Sequence, residues 1–217
     1  MVNFQPKRIG FQWRKVNMKS SKKKSKHPSL DIVGTLGTEL SGKRIVLCVA
    51  GSVAVYKAIE LARLLMRHGG NVVCVASSAA TRLVRPDYFK WATGNPVITK
   101  LTGDLEHIEV ADYKRSDLII VYPGTANTLG KLANGIDDTP VSTVLTVGFG
   151  SRIPIVMGLA MHAAMYDNKA VRKNIDFLKG KVDFVSPVMI EGKAKAAEPE
   201  DVLQFVFKKF GYSSVLH

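Results

Sequence analysis

The 217-residue sequence predicts an α/β fold, a single doubly wound parallel sheet of the Rossmann-like or flavodoxin-like kind in a three-layer sandwich. Three observations carry that reading. Short apolar runs alternate with amphipathic stretches in regular strand–helix order, the pattern of right-handed crossovers. The runs are apolar at consecutive positions, as strands buried on both faces require. Turns rich in Gly, Ser, Thr and Asn follow several of them, and in such sheets ligands collect at the carboxyl ends of strands.

Residues 28–42 are turn-rich and wrap the surface. Residues 44–50 read as the first strand, on Ile45, Val46, Leu47 and Val49. A helix over 52–67 follows, because Val55, Ile59, Ala62, Leu65 and Met66 fall on one face. Gly69-Gly70 stops it. Residues 71–76 form a second strand, and 77–84 a short helix that Pro86 interrupts. A helix over 86–93 has proline in its first turn. The third strand, 117–122, runs into Tyr122-Pro123-Gly124-Thr125-Ala126-Asn127-Thr128. That turn opens a helix over 129–133, with Thr125 and Asn127 at capping positions. Residues 141–147 read as a buried helix, although their β-branched content also suits a strand. A fourth strand over 153–157, a helix over 168–179, a fifth strand over 182–185 and an amphipathic helix over 200–209 complete the order. There is no internal repeat.

Hydrophobic content of 46% with 23% charged residues is ordinary for a soluble globular chain. No apolar run reaches the ~18 residues of a membrane span, and no secretory signal is visible. Cys48 and Cys74 sit inside apolar strand-like runs and read as buried free thiols of a cytoplasmic protein. No metal-ligand spacing is present. The net charge of +13 belongs to one end: residues 1–28 hold nine Lys or Arg and no acid. The other 22 basic residues face all 18 acidic ones, an excess of only four. Residues 1–28 are therefore expected to be a basic, disordered tail, within which Met18 offers an alternative start, and 29–217 the folded domain. A tail of this kind does not call for a nucleic-acid partner.

Small hydroxyl or amide residues mark three strand-to-helix turns: Gly51-Ser52-Val53-Ala54, Ser77-Ser78-Ala79-Ala80 and the Thr125–Thr128 turn. Gly allows close backbone approach, and a capping hydroxyl can donate to a phosphate or a ring edge. The dinucleotide fingerprint G-x-G-x-x-G is absent. One mononucleotide-sized ligand could be held by all three turns.

Gly51-Ser52-Val53-Ala54, then Pro123-Gly124-Thr125-Ala126-Asn127-Thr128, then Ala160-Met161-His162-Ala163-Ala164-Met165 occur in an order that resembles the flavin-dependent cysteine decarboxylases. The pattern looks most like the phosphopantothenoylcysteine decarboxylase domain of coenzyme A biosynthesis, over residues 42–211. His162, where most relatives have Asn, and Glu191-Gly192-Lys193-Ala194-Lys195 resemble the archaeal branch. The resemblance implies FMN held by Gly51, Ser52, Val53, Ser77, Ser78, Thr125, Ala126, Asn127 and Thr128, with Ala160 nearby. It implies a catalytic role for His107 and a homo-oligomer, a trimer or trimer-based, with FMN between protomers. His107 also suits the role chemically, since a histidine titrates near pH ~6.5.

The reaction that the resemblance implies is the FMN-dependent decarboxylation of 4′-phosphopantothenoylcysteine to 4′-phosphopantetheine. The substrate thiol is oxidised to a thioaldehyde, the carboxylate leaves, and the enethiolate is reduced and protonated. His162 could hold the substrate carboxylate or merely cap the helix beginning near Asp167. Relatives place a cysteine in a flap after the fifth strand, and residues 186–199 contain none. Lys193 or Lys195 could supply the proton or hold the substrate phosphate, or both are solvated loop lysines. The synthetase domain that many relatives carry is not expected within these residues. Two alternatives remain open: a flavin prenyltransferase of the same fold, and a non-catalytic FMN-binding regulatory or electron-transfer flavoprotein.

Overall fold

A computed structural model describes residues 27–190 and 193–212. Strand β1 (Arg44–Val49) lies between β2 (Asn71–Ala76) and β3 (Leu118–Gly124), and β4 (Ile155–Leu159) and β5 (Asp183–Val185) extend the sheet beyond β3. The order is β2-β1-β3-β4-β5 and every pairing is parallel. This is the flavodoxin-like order, in which the chain reverses direction across the sheet at β1 and β3.

The continuous apolar runs are explained by burial on both sides. Ile45, Leu47 and Val49 of β1, with Leu118, Ile120 and Tyr122 of β3, enter one core; Val46, Cys48, Ile119 and Val121 enter the other. The first core is covered by α1 (Lys57–Arg67), α3 (Pro86–Thr93) and α9 (Pro199–Lys209). The second is covered by α4 (Glu106–Ala111), α5 (Ala126–Asn134), α6 (Pro140–Gly150) and α8 (Lys169–Leu178). Two short helices, α2 (Ser78–Leu83) and α7 (Ala163–Tyr166), follow the ends of β2 and β4. Truncating a core side chain such as Leu47 or Ile120 to Ala costs about 2–5 kcal/mol. Both cysteines are buried free thiols, and they point into opposite cores.

Several boundaries differ from expectation, each for a local reason. The helix expected over 52–67 starts as a 3-10 turn, Val53–Tyr56, before α1. Asp117 precedes β3: its carboxylate accepts from the Arg44 amide at 2.8 Å, which sets the start of the β1–β3 ladder. Strand β4 begins two residues later than expected and ends at Leu159. Helix α5 starts at Ala126, directly after the Thr125 cap, so Asn127 lies in its first turn and does not cap it. Residues 141–147 are helical within α6, whose start is fixed by a Thr139–Ser142 capping box.

The 28–42 segment contains a 3-10 helix, Pro28–Ile32, so the first described element begins at the edge of the expected tail. The rest of that tail, residues 1–26, lies outside the described residues. The expected flap contains an antiparallel hairpin of β6 (Val188–Ile190) and β7 (Lys193–Lys195). Its Glu191-Gly192 tip lies outside the described residues. Among the described residues no helix is long and apolar enough to cross a membrane.

Candidate functional site

The loops that leave β1, β2 and β3 share one construction. The Ser52 hydroxyl accepts from the Ala54 amide at 3.3 Å, and that of Ser77 from the Ala80 amide at 3.2 Å. The Thr125 hydroxyl oxygen accepts from the Thr128 amide at 3.2 Å. Each hydroxyl closes a helix start with its lone pair, and at Ser52 and Ser77 the O–H remains to donate to a ligand. Gly51 is required by the close approach of two of these loops. A Cβ there would meet the Ala79 Cβ at 2.4 Å and its backbone carbon at 3.0 Å.

These loops enclose a cavity of about 530 Å3. Of the ten residues that the resemblance assigns to FMN, nine line it: Gly51, Ser52, Ser77, Ser78, Thr125, Ala126, Asn127, Thr128 and Ala160. Val53 does not. It is 88% exposed, turned out on the 3-10 turn, and lines a neighbouring cavity. Lys131, Thr139, Val141, Ser142, Met161 and Met165 also line the first cavity and escaped sequence reasoning. Lys131 carried a usable signal, because it lies four residues after Asn127 on the same helical face. Thr139 and Ser142 carried another, a hydroxyl pair at capping-box spacing.

The second cavity, about 470 Å3, shares Ser52, Ala160 and Met161 with the first. Its other lining includes Tyr56, Lys57, His162, Lys195 and Ala196. The Lys57 side chain is 13% exposed, and its Nζ pairs with a Glu198 carboxylate oxygen at 2.6 Å. His162 caps α7 and not the helix after Asp167: its Nδ1 accepts from the Ala164 amide at 3.3 Å. In the neutral ring that leaves the proton on Nε2, a tautomer assigned from the hydrogen-bond network. Capping and ligand donation are therefore compatible in one side chain. Lys195 is exposed at the rim, while Lys193 is described only by its backbone pairing with Ile190.

His107 is not brought to either cavity. It sits in α4, a helix the sequence gave no sign of, packed against α6. The helix start is held by Glu106, whose carboxylate accepts from the Thr102 amide at 2.9 Å and its hydroxyl at 2.6 Å. The His107 Nδ1 is buried and has no hydrogen-bond partner among the described residues.

The larger cavity fits a flavin mononucleotide in size and in chemistry. Cofactor and small-ligand sites run to ~300–1,000 Å3. Hydroxyls and free helix-start amides suit a phosphate, and Ala160, Val141, Met161 and Met165 supply an apolar wall for a ring.

A doubly wound parallel sheet with a hydroxyl-lined cavity at its topological switch defines a ligand-binding α/β protein. The family is narrower: residues 34–211 match the Flavoprotein family model, and the chain belongs to that family. It is 46% identical, over 82% of its length, to the coenzyme A biosynthesis bifunctional protein CoaBC of Thermococcus kodakarensis, of which the match covers 45%. It is 33% identical to a probable phosphopantothenoylcysteine decarboxylase of Streptococcus mutans, over 63% of this chain and 78% of that one. Among solved structures, peptidyl-cysteine decarboxylase EpiD superposes with a TM-score of 0.66 at 27% identity. That superposition covers 75% of this chain and 97% of EpiD. The chain spans less than half the length of the CoaBC relatives it matches.

Proposed function

We propose that this chain is an FMN-dependent carboxy-lyase that converts 4′-phosphopantothenoylcysteine to 4′-phosphopantetheine, working in a reducing cytoplasm. One observation carries the reading: nine residues scattered from Gly51 to Ala160, named by family resemblance, line a single cavity of cofactor size. When bound, FMN would supply the two-electron oxidation that makes the thiol-bearing group a sink, with sulfur taking up the charge left by the departing carboxylate, and would return the two electrons to the product.

The chain's own residues bind and orient. Ser52, Ser77, Ser78 and the first turn of α5 hold the nucleotide. The adjoining cavity receives the substrate, where His162 Nε2–H donates to the carboxylate. Lys195 at its rim stands in for the missing flap cysteine as proton donor. His107 acts from the neighbouring protomer of a trimer, with FMN between the two chains. Its absence from the lining of both cavities and its unpartnered Nδ1 support that arrangement.

Anaerobic incubation with 4′-phosphopantothenoylcysteine, following the flavin spectrum and product mass together, tests the reading. Release of CO2 with 4′-phosphopantetheine is the expected result, and an accumulating enethiol would leave an oxidative decarboxylase. Bound FMN with no turnover would overturn catalysis in favour of a regulatory or electron-transfer flavoprotein. His107→Asn is expected to retain FMN and lose thiol oxidation. Light scattering should give the mass of three 23.7-kDa chains or a multiple of it.

A further inference from the structure

Among the described residues, Lys131 is the one charged side chain that lines the larger cavity. Its side chain is 19% exposed, and its Nζ donates to both Asp138 carboxylate oxygens, at 2.7 and 2.9 Å. Asp138 is different: its side chain is 56% exposed and stands in the link to α6. Behind it, the Ser142 hydroxyl donates to the same carboxylate at 3.4 Å, and Ser142 is itself 2% exposed and part of the cavity wall.

The two charges of this pair feel different solvents. Water screens an exposed carboxylate effectively, whereas an ammonium on a half-enclosed wall acts through a poorer dielectric. The pair therefore leaves a positive potential inside a cavity whose other lining groups are all neutral. Asp138 can also turn back to water when a better anion reaches the ammonium. A flavin mononucleotide brings such charge in two places, the permanent phosphate dianion and the ring once it is reduced. A compact ammonium suits either.

We propose that Lys131 is the residue through which this chain recognises the negative charge of its flavin nucleotide, with Asp138 holding the ammonium on the cavity wall until that nucleotide arrives. The proposal rests on the FMN reading above and adds a charge-recognition residue to it.

The test uses the full chain, stripped of flavin and titrated with FMN and with riboflavin by fluorescence quenching, and the redox midpoint of each loaded form. Lys131→Met is expected to weaken FMN binding about tenfold or more. If riboflavin binding is unchanged, the ammonium reads the phosphate. If oxidised FMN and riboflavin both keep their affinity and the midpoint falls by about 30 mV, a tenfold loss of reduced-state over oxidised-state binding for a two-electron couple, it reads the reduced ring. Lys131→Arg should keep most of the FMN affinity. Asp138→Asn should raise FMN affinity, because a competing anion is gone, and this variant decides the matter if Lys131→Met does not fold, an unchanged affinity then counting against the proposal. Unaltered affinities and midpoint in Lys131→Met overturn the proposal. So does an Asp138→Asn loss as large as that of Lys131→Met, which would mark the pair as scaffold only. Gly51→Val separates the two levels: if it leaves FMN binding intact, the cavity assignment itself has failed. A weakened Gly51→Val beside a silent Lys131→Met would fail the charge proposal alone.

Discussion

The Tyr122 hydroxyl donates to the Ala197 carbonyl oxygen at 2.5 Å, joining two fully buried residues that lie 75 positions apart. The bond ties the end of β3 to the chain leaving the β6–β7 hairpin. Lys57 fastens the same stretch from another side, with its Nζ 3.5 Å from the Ala196 carbonyl oxygen and 2.6 Å from the Glu198 carboxylate. One wall of the second cavity therefore has a fixed root, although the hairpin itself is short. Burial pushes the Tyr122 phenol well above its ordinary range, with the Glu198 charge adding to it, so the group remains a donor at every physiological pH.

Tyr122→Phe leaves the buried Ala197 carbonyl without its donor. A buried acceptor stranded in this way costs about 1–3 kcal/mol. Urea unfolding is expected to record that loss, while FMN binding survives because Tyr122 lies outside the larger cavity. Unchanged stability would show that another group satisfies the carbonyl.

Gly51→Ala forces the first loop away from Ala79, since the added carbon has no room. The expected outcome is weaker FMN binding, with far-UV circular dichroism unchanged. Wild-type affinity would mean that the loop pair does not grip the nucleotide.

Both cysteines should be unreactive in the native protein. Burial pushes the Cys74 thiol up to about 12, and burial together with the neighbouring Cys74 pushes Cys48 up as well. A thiol reagent such as Ellman's at pH 8 is expected to label neither before denaturation and both after it. Rapid native labelling would contradict the two-core packing.

Glu39 should give the fold an acid-sensitive contact. Its carboxylate lies 2.7 Å from His68 Nδ1, with the two side chains 18% and 12% exposed. Burial raises the Glu39 carboxyl, but the His68 hydrogen bond and charge, with its own backbone amide, outweigh this and hold it below the ordinary value. A depressed carboxyl contributes stability above its unfolded value, about pH 4.3, and loses that contribution as pH falls through the folded value. Glu39→Gln is therefore expected to flatten the acid limb of unfolding free energy against pH. Identical slopes for the two proteins would remove Glu39 from the account.

The elements legible in the sequence were those whose signal is local and repeated. The apolar runs of β1 to β4 read as buried strands, and Thr125 announced the start of α5 by its own chemistry. Helix α4 was hidden because it spans only six residues and is preceded by Leu105, a left-handed residue that offers no capping side chain. The β6–β7 hairpin was hidden because each strand has three residues, too few for a periodic pattern to be read. Nine positions that line the larger cavity were legible from family order, and Lys131 was not among them. Its spacing from Asn127 puts it on the same face of α5, but its place on the cavity wall also depends on how α5 faces α6.

The β1–β3 pairing at the middle of the sheet joins segments 73 positions apart, beginning where the Arg44 amide meets Asp117. On a ribosome that adds ~5–20 residues per second, β1 is made about 4–15 s before β3 begins to emerge. Strand β2 and α1 can cover one flank of β1 in that time, because they follow it directly. The other flank waits as an open row of amides and carbonyls, the kind of edge onto which another nascent strand can add. Synthesis of this protein therefore contains a vulnerable interval, set by sheet order, that ends only when residues 118–121 arrive.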